Sequence, residues 1–106
     1  MRILVAEDDK SSRLSLAAVL KRLGHDVTSV ADGEQAWNAL RAPDAPMLAV
    51  LDWMMPGLSG VEVCRRARGN PATASKYLIL LTSRTGKEDV VEGLDAGAND
   101  YVTMTF

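Results

Sequence analysis

The sequence predicts an α/β domain built on a doubly wound parallel sheet, and three observations carry that prediction. Short apolar runs, among them Ile3-Leu4-Val5-Ala6, Met47–Leu51 and Tyr77–Leu81, recur along the chain and are separated by amphipathic stretches of helical length. The runs are continuous rather than alternating, which is the pattern of strands covered on both faces. Three of them end in chemically useful polar residues: Glu7-Asp8-Asp9, Asp52, and Thr82-Ser83. In open parallel sheets ligands bind beyond the carboxyl ends of the strands, near the switch in strand order, so these three ends should open into one crevice.

Each element has its own justification. Arg2–Ala6 is short, apolar and ended by a polar cluster, as a buried strand should be. Ser11–Leu23 reads as a helix with Leu16, Leu20 and Leu23 on one face and Gly24 as its stop. Val27–Val30 is a second strand. Asp32 caps a helix running to about Arg41, with Ala36, Trp37 and Leu40 turned inward, and Pro43 and Pro46 end it. Met47–Leu51 is the third strand, with Asp52 at its tip. Pro56–Gly60 is a loop, and Val61–Arg68 a short helix with Cys64 on its buried side, broken by Asn70 and Pro71. Tyr77–Leu81 is the fourth strand, Lys87–Ala96 a helix closed by Gly97, and Tyr101–Thr103 begins a fifth strand.

The order is βαβαβαβαβ, and 106 residues suit one domain spanning 1–106. A sheet of this kind usually finishes with a helix, whereas Phe106 follows directly on the fifth strand. One sheet face is therefore expected to be partly uncovered by a missing or altered C-terminal helix, which would favour a homodimer or a helix donated by another chain.

Composition narrows the function classes. Apolar residues make up 47% and charged residues 25%, ordinary for a globular protein, and the formal charge of −2 gives no reason to expect direct nucleic-acid or membrane binding. Arg65, Arg66 and Arg68 read as a solvated helix face. A single cysteine excludes a disulfide framework and a cysteine-rich zinc site. With no long apolar span and no signal-peptide core, the expectation is a cytoplasmic protein.

The acidic residues carry the chemistry. Alone, Asp52 could be a turn former after a strand, and Glu7 and Asp8 a favourable acidic entry to a helix. Asp9 fits that helix-entry role best. Together, carboxylates from two strand ends would crowd like charges into one crevice, which calls for a hard divalent cation such as Mg2+ with oxygen ligands. Asp52 then reads as a carboxylate nucleophile toward a phosphoryl group, with Glu7 and Asp8 supplying the metal site. The loop after Asp52 must fold back over the site, which places the Met54 carbonyl to complete the ligand set. Thr82 could donate to a phosphoryl oxygen or simply end a strand. Tyr101 by itself is an ordinary strand aromatic.

These residues also carry a resemblance. The segments ILVAEDDK, LAVLDWMMPGLSG, LILLTS and GLDAGANDYVT, spanning essentially the whole chain, resemble the receiver domain of two-component response regulators. The resemblance implies a flavodoxin-like five-stranded sheet in the order 2-1-3-4-5. It implies that Asp52 is the phosphoacceptor, that Glu7, Asp8, Asp52 and the Met54 carbonyl bind magnesium, that Thr82 is the switch hydroxyl, and that Tyr101 is the aromatic responding to it. It further implies a sensor histidine kinase or phosphotransfer protein as donor, an output domain or effector downstream, and a phosphorylation switch rather than an enzyme. Lys87, Glu88 and Val91, on the helix before the fifth strand, are candidates for partner contact.

The chain departs from the family at one informative place. The family expects Lys-Pro-Phe after the fifth strand, and here stand Met104, Thr105 and Phe106. Methionine fills similar space but carries no charge and donates no hydrogen bond. A cation at about 4 Å from a carboxylate contributes at most roughly 4 kcal/mol at an effective dielectric of about 20. Its loss should raise carboxylate pKa values, increase dependence on a divalent cation and weaken phosphorylation or its coupling to Thr82. Without the proline, the peptide between Met104 and Thr105 is free to be trans.

Three other classes compete with this reading. A pseudo-receiver acting as an interaction module is favoured by Met104 and opposed by intact Asp52, Asp8 and Thr82. An aspartyl phosphatase of the haloacid dehalogenase type needs a second acid two residues after the nucleophile, where Met54 stands. A flavodoxin-like flavin binder needs a hydroxyl-rich phosphate loop after the first strand, where Glu7-Asp8-Asp9 would repel phosphate.

Overall fold

The computed structural model describes residues 1–83 and 86–103. Among them, strands and helices alternate: β1 (Arg2–Ala6), α1 (Lys10–Arg22), β2 (Asp26–Val30), α2 (Gly33–Arg41), β3 (Leu48–Asp52), α3 (Gly60–Arg68), β4 (Tyr77–Thr82), α4 (Lys87–Asp95) and β5 (Asp100–Thr103). All strand pairings are parallel and the sheet order is β2-β1-β3-β4-β5, the flavodoxin-like order expected. The expectations concerning Met104, Thr105 and Phe106 lie outside the described residues.

Helix starts follow from their caps. The carboxylate of Asp9 accepts from the Ser12 N–H at 2.8 Å, and that bond holds Asp9 below its ordinary pKa. Asp32 does the same for the Gln35 N–H at 2.8 Å, and the Ser59 hydroxyl for the Glu62 N–H at 3.2 Å. Each cap satisfies a donor that the first helical turn leaves unpaired. Asp9 thus takes the helix-entry role expected of it. At the other end of α1, Gly24 adopts φ 95°, a conformation that side chains disfavour.

The core lies between the sheet and α2–α3. Leu4, Ala6, Ala49, Leu51, Leu78 and Leu80 meet Ala36, Leu40, Val61, Val63 and Cys64, all buried. Burial pushes the Cys64 thiol up to about 12, so it is an inert core side chain. Trp37 packs against this core only partly buried.

Two expectations change. On α1, Ala17 is the buried residue, Leu16 and Leu20 are half-buried, and Leu23 is 68% exposed. Leu23 is the C-terminal cap of the helix and lies largely in solvent, so helical spacing assigned it a face without burying it there. Leu16, Val19 and Leu81 line an open groove of about 360 Å³ beside Glu7, Ser11, Ser12 and Ser15. Arg65 and Arg66 are exposed as expected, but Arg68 is not a solvated charge. Its guanidinium donates to the carbonyls of Gly97 at 2.8 Å, Ala74 at 2.9 Å and Lys76 at 2.6 Å, and to Asn99 Oδ1 at 2.6 Å. Asn99 Oδ1 also accepts from the Leu78 N–H at 2.8 Å, so Arg68 ties α3 to the segments entering β4 and β5. Buried Lys76 likewise spends its ammonium on backbone, donating to Pro46 O at 2.9 Å and Ala45 O at 3.3 Å.

Candidate metal centre

The register of the two central strands builds the site. Ala6 of β1 pairs with Leu51 of β3, so the next residues, Glu7 and Asp52, leave the sheet side by side. Asp52 is itself the last residue of β3, one position later than the sequence suggested. The Glu7 N–H still bonds Val30 O at 3.1 Å, holding Glu7 against the sheet edge, and its side chain is buried. Asp8, beside it, is exposed. One carboxylate oxygen from each of Glu7, Asp8 and Asp52 lies within 4.8 Å of the other two.

Electrostatics mark this trio as uncompensated. Among the described residues, no lysine or arginine forms an ion pair with it. Burial first, and then the nearby Asp52 carboxylate, raise the Glu7 carboxyl from an ordinary 4.5 to about 8. Glu7 Oε1 accepts from the Asp9 N–H at 3.3 Å, while Oε2 is buried without a hydrogen-bond partner. A buried carboxylate oxygen left unpaired is costly. The hard-oxygen donor set and the orphaned Oε2 both fit a divalent cation such as Mg2+.

Sequence reasoning missed Arg13. Its guanidinium donates to the Glu7 carbonyl at 2.9 Å and the Asp8 carbonyl at 3.4 Å, bracing the backbone that presents both carboxylates. It lies on α1 and acts on backbone, so no motif around the acidic residues announces it.

The other site candidates sit around this pocket. Thr82 is the buried last residue of β4, one position beyond Leu81, the register partner of Asp52. Tyr101 lies on β5 opposite Leu80, half-buried, with its ring 6.1 Å from that of Trp53 at an interplanar angle of 80°. Trp53 is buried and follows Asp52 directly, so an edge-to-face contact links the carboxylate strand to Tyr101. Met54 presents its side chain to solvent on the loop after β3. That loop is folded back: the Gly60 N–H donates to Trp53 O at 2.9 Å and the Gly33 N–H to Pro56 O at 3.4 Å. Lys87, Glu88 and Val91 are all exposed on α4.

Residues 3–106 match the family model of the response regulator receiver domain. The chain is 47% identical over 100 residues to the transcriptional regulatory protein AfsQ1 of Streptomyces coelicolor, covering 94% of this chain and 43% of that protein. It is 43% identical over 105 residues to the DNA-binding response regulator MtrA of Mycolicibacterium smegmatis, covering 99% and 44%. The chain therefore spans less than half the length of these curated relatives. Among solved structures, the receiver domain of the sensor histidine kinase PA1611 from Pseudomonas aeruginosa PAO1 superimposes with a TM-score of 0.88 at 31% identity, over 99% of this chain and 85% of that one. That structure has a magnesium ion coordinated in its active site cleft.

Proposed function

Since the chain belongs to the response regulator receiver domain family, we propose that it is a phosphorylation switch in which Asp52 accepts a phosphoryl group from the phosphohistidine of a sensor kinase or phosphotransfer protein. The observation that carries the reading is the convergence of Glu7, Asp8 and Asp52 at the ends of two adjacent strands, with Glu7 Oε2 buried and unpaired. Glu7, Asp8, Asp52 and the Met54 carbonyl would hold Mg2+, which when bound neutralises charge on the phosphoryl oxygens.

The chain's own residues account for the rest. An Asp52 carboxylate oxygen attacks phosphorus, an O–P bond forms, the P–N bond breaks, and the departing imidazole keeps the electron pair. Thr82, one residue past the partner of Asp52, donates its hydroxyl to a phosphoryl oxygen. Movement of Thr82 frees space for Tyr101 to turn inward, and the surface of α4 and β5 changes with it. Val91, Leu94 and Val102 are exposed on those elements and suit an effector or a second copy. The domain is a signalling module, and any slow self-dephosphorylation belongs to the same pocket. Its place of action is the cytoplasm, where the kinase is phosphorylated. An output domain beyond the receiver is proposed from the greater length of the relatives.

Met104 favours a second reading, a pseudo-receiver that binds partners without accepting phosphate. The two separate on incubation with magnesium and a small-molecule phosphodonor followed by intact-mass measurement. The phosphoacceptor reading expects one phosphoryl group on the native chain and none on Asp52→Asn. An unmodified native chain supports the pseudo-receiver.

A further inference from the structure

The loop between β3 and α3, which carries Met54, is pinned at two glycines. At its far end, a Cβ on Gly60 would lie 2.3 Å from Asp52 O, so the loop returns directly onto the strand that bears the nucleophile. At its crown, a Cβ on Gly33 would lie 1.9 Å from Leu58 O and 2.6 Å from Leu58 C and Leu58 Cβ. Two of these are backbone atoms, which cannot rotate away as a side chain would. Leu58 is itself buried in the core with Ala36 and Leu40 of α2.

We propose that Gly33 is a positioning residue for the metal site: the first turn of α2 sets where the loop of residues 53–59 lies, and through it the affinity of the carboxylate cluster for its cation. The inference rests on the metal-binding reading above. The start of α2 is held firmly on its own account. Asp32 caps it, and Gln35 Oε1 accepts from the Ala31 N–H at 2.9 Å. Any side chain at position 33 therefore moves the loop rather than the helix. Bringing 1.9 Å to ordinary contact requires the loop to withdraw by about 1 Å or more. Met54 lies between Asp52 and Leu58, the two residues that these glycines touch, and its carbonyl moves with Leu58. Magnesium demands near-ideal octahedral geometry at about 2.1 Å, so a displaced ligand is a lost ligand. Groups that orient metal ligands typically contribute about 10–100-fold in affinity.

The test is a magnesium titration followed by tryptophan fluorescence in the native chain, Gly33→Ala, Gly69→Ala and Asp52→Asn, with folding checked by circular dichroism. A Cβ on Gly69 meets nothing nearer than 3.5 Å, so Gly69→Ala is the control for a glycine lost without a clash. The expected result is a folded Gly33→Ala whose magnesium affinity falls by about tenfold or more, with Gly69→Ala at the native value. A folded Gly33→Ala with native affinity overturns the inference and leaves the metal site standing. A native chain that binds no magnesium overturns both. Should Gly33→Ala not fold, the Gly33 amide resonance of the native chain decides. It should shift with the same half-saturation as the fluorescence and stay still in Asp52→Asn. An unmoved resonance in the native chain overturns the inference.

Discussion

Glu7 and Asp52 leave adjacent parallel strands at the same level, because Ala6 and Leu51 are register partners, and among the described residues no cation pairs with either carboxylate. Burial and Asp52 hold the Glu7 proton to about pH 8.

Magnesium binding should therefore be proton-linked. A cation can use Glu7 only after its proton leaves, so affinity rises with pH and levels off above about 8. Well below that value, the expected slope is about tenfold per pH unit. Isothermal titration in buffers of different ionisation enthalpy should show about one proton released per ion bound near neutrality. The metal-free fold responds in the opposite sense. Its Glu7 binds a proton that the unfolded chain, with an ordinary pKa of 4.5, has already lost, so stability falls as pH rises from about 4.5 to about 8. Glu7→Gln removes this dependence, stabilises the metal-free protein at neutral pH by about 1–3 kcal/mol, and weakens magnesium binding.

Arg68 should matter to stability and not to the site. Its four hydrogen bonds tie α3 to the segments entering β4 and β5, at the end of the sheet away from Asp52. Arg68→Ala should lower unfolding free energy by about 2–4 kcal/mol in urea denaturation, while magnesium affinity stays at the native value.

Thr82 and Tyr101 should separate chemistry from switching. Thr82→Ala is expected to keep accepting a phosphoryl group on Asp52, because the nucleophile and carboxylate cluster are untouched. It should lose the response of Tyr101, read as the change in the Tyr101 ring resonances on addition of phosphodonor. Retention of that response would remove Thr82 from the switch.

Met104 should limit the site. Met104→Lys restores the lysine that the family places after the fifth strand and is expected to speed phosphoryl uptake and reduce the magnesium needed for it. Unchanged uptake in a phosphorylation time course would show that the missing charge is not what limits the pocket.

The parallel sheet and the acidic cluster were legible because both rest on local signals: continuous apolar runs set the parallel sheet, and Glu7, Asp8 and Asp52 follow those runs directly, whereas the strand order came only from the family resemblance. The caps at Asp9 and Asp32 were legible for the same reason. Arg68 was misread because three of its four partners are backbone carbonyls, one of them 29 residues away at Gly97, and a backbone carbonyl leaves no mark in a sequence. Lys76, Arg13 and Gly33 escaped notice likewise, each acting on backbone rather than on a side chain. Leu23 was misplaced because helical spacing assigns a face but cannot say where the neighbouring layer ends.

The most direct test of the phosphorylation-switch reading uses Trp53, buried next to Asp52 and against Tyr101. Magnesium and then beryllium fluoride, a phosphoryl mimic, are titrated while fluorescence is followed in the native chain and in Asp52→Asn, with Trp37 as constant background. The account predicts a change on magnesium and a further change on the mimic, the second absent from Asp52→Asn. Magnesium binding without any response to the mimic, or no response to either, would contradict it.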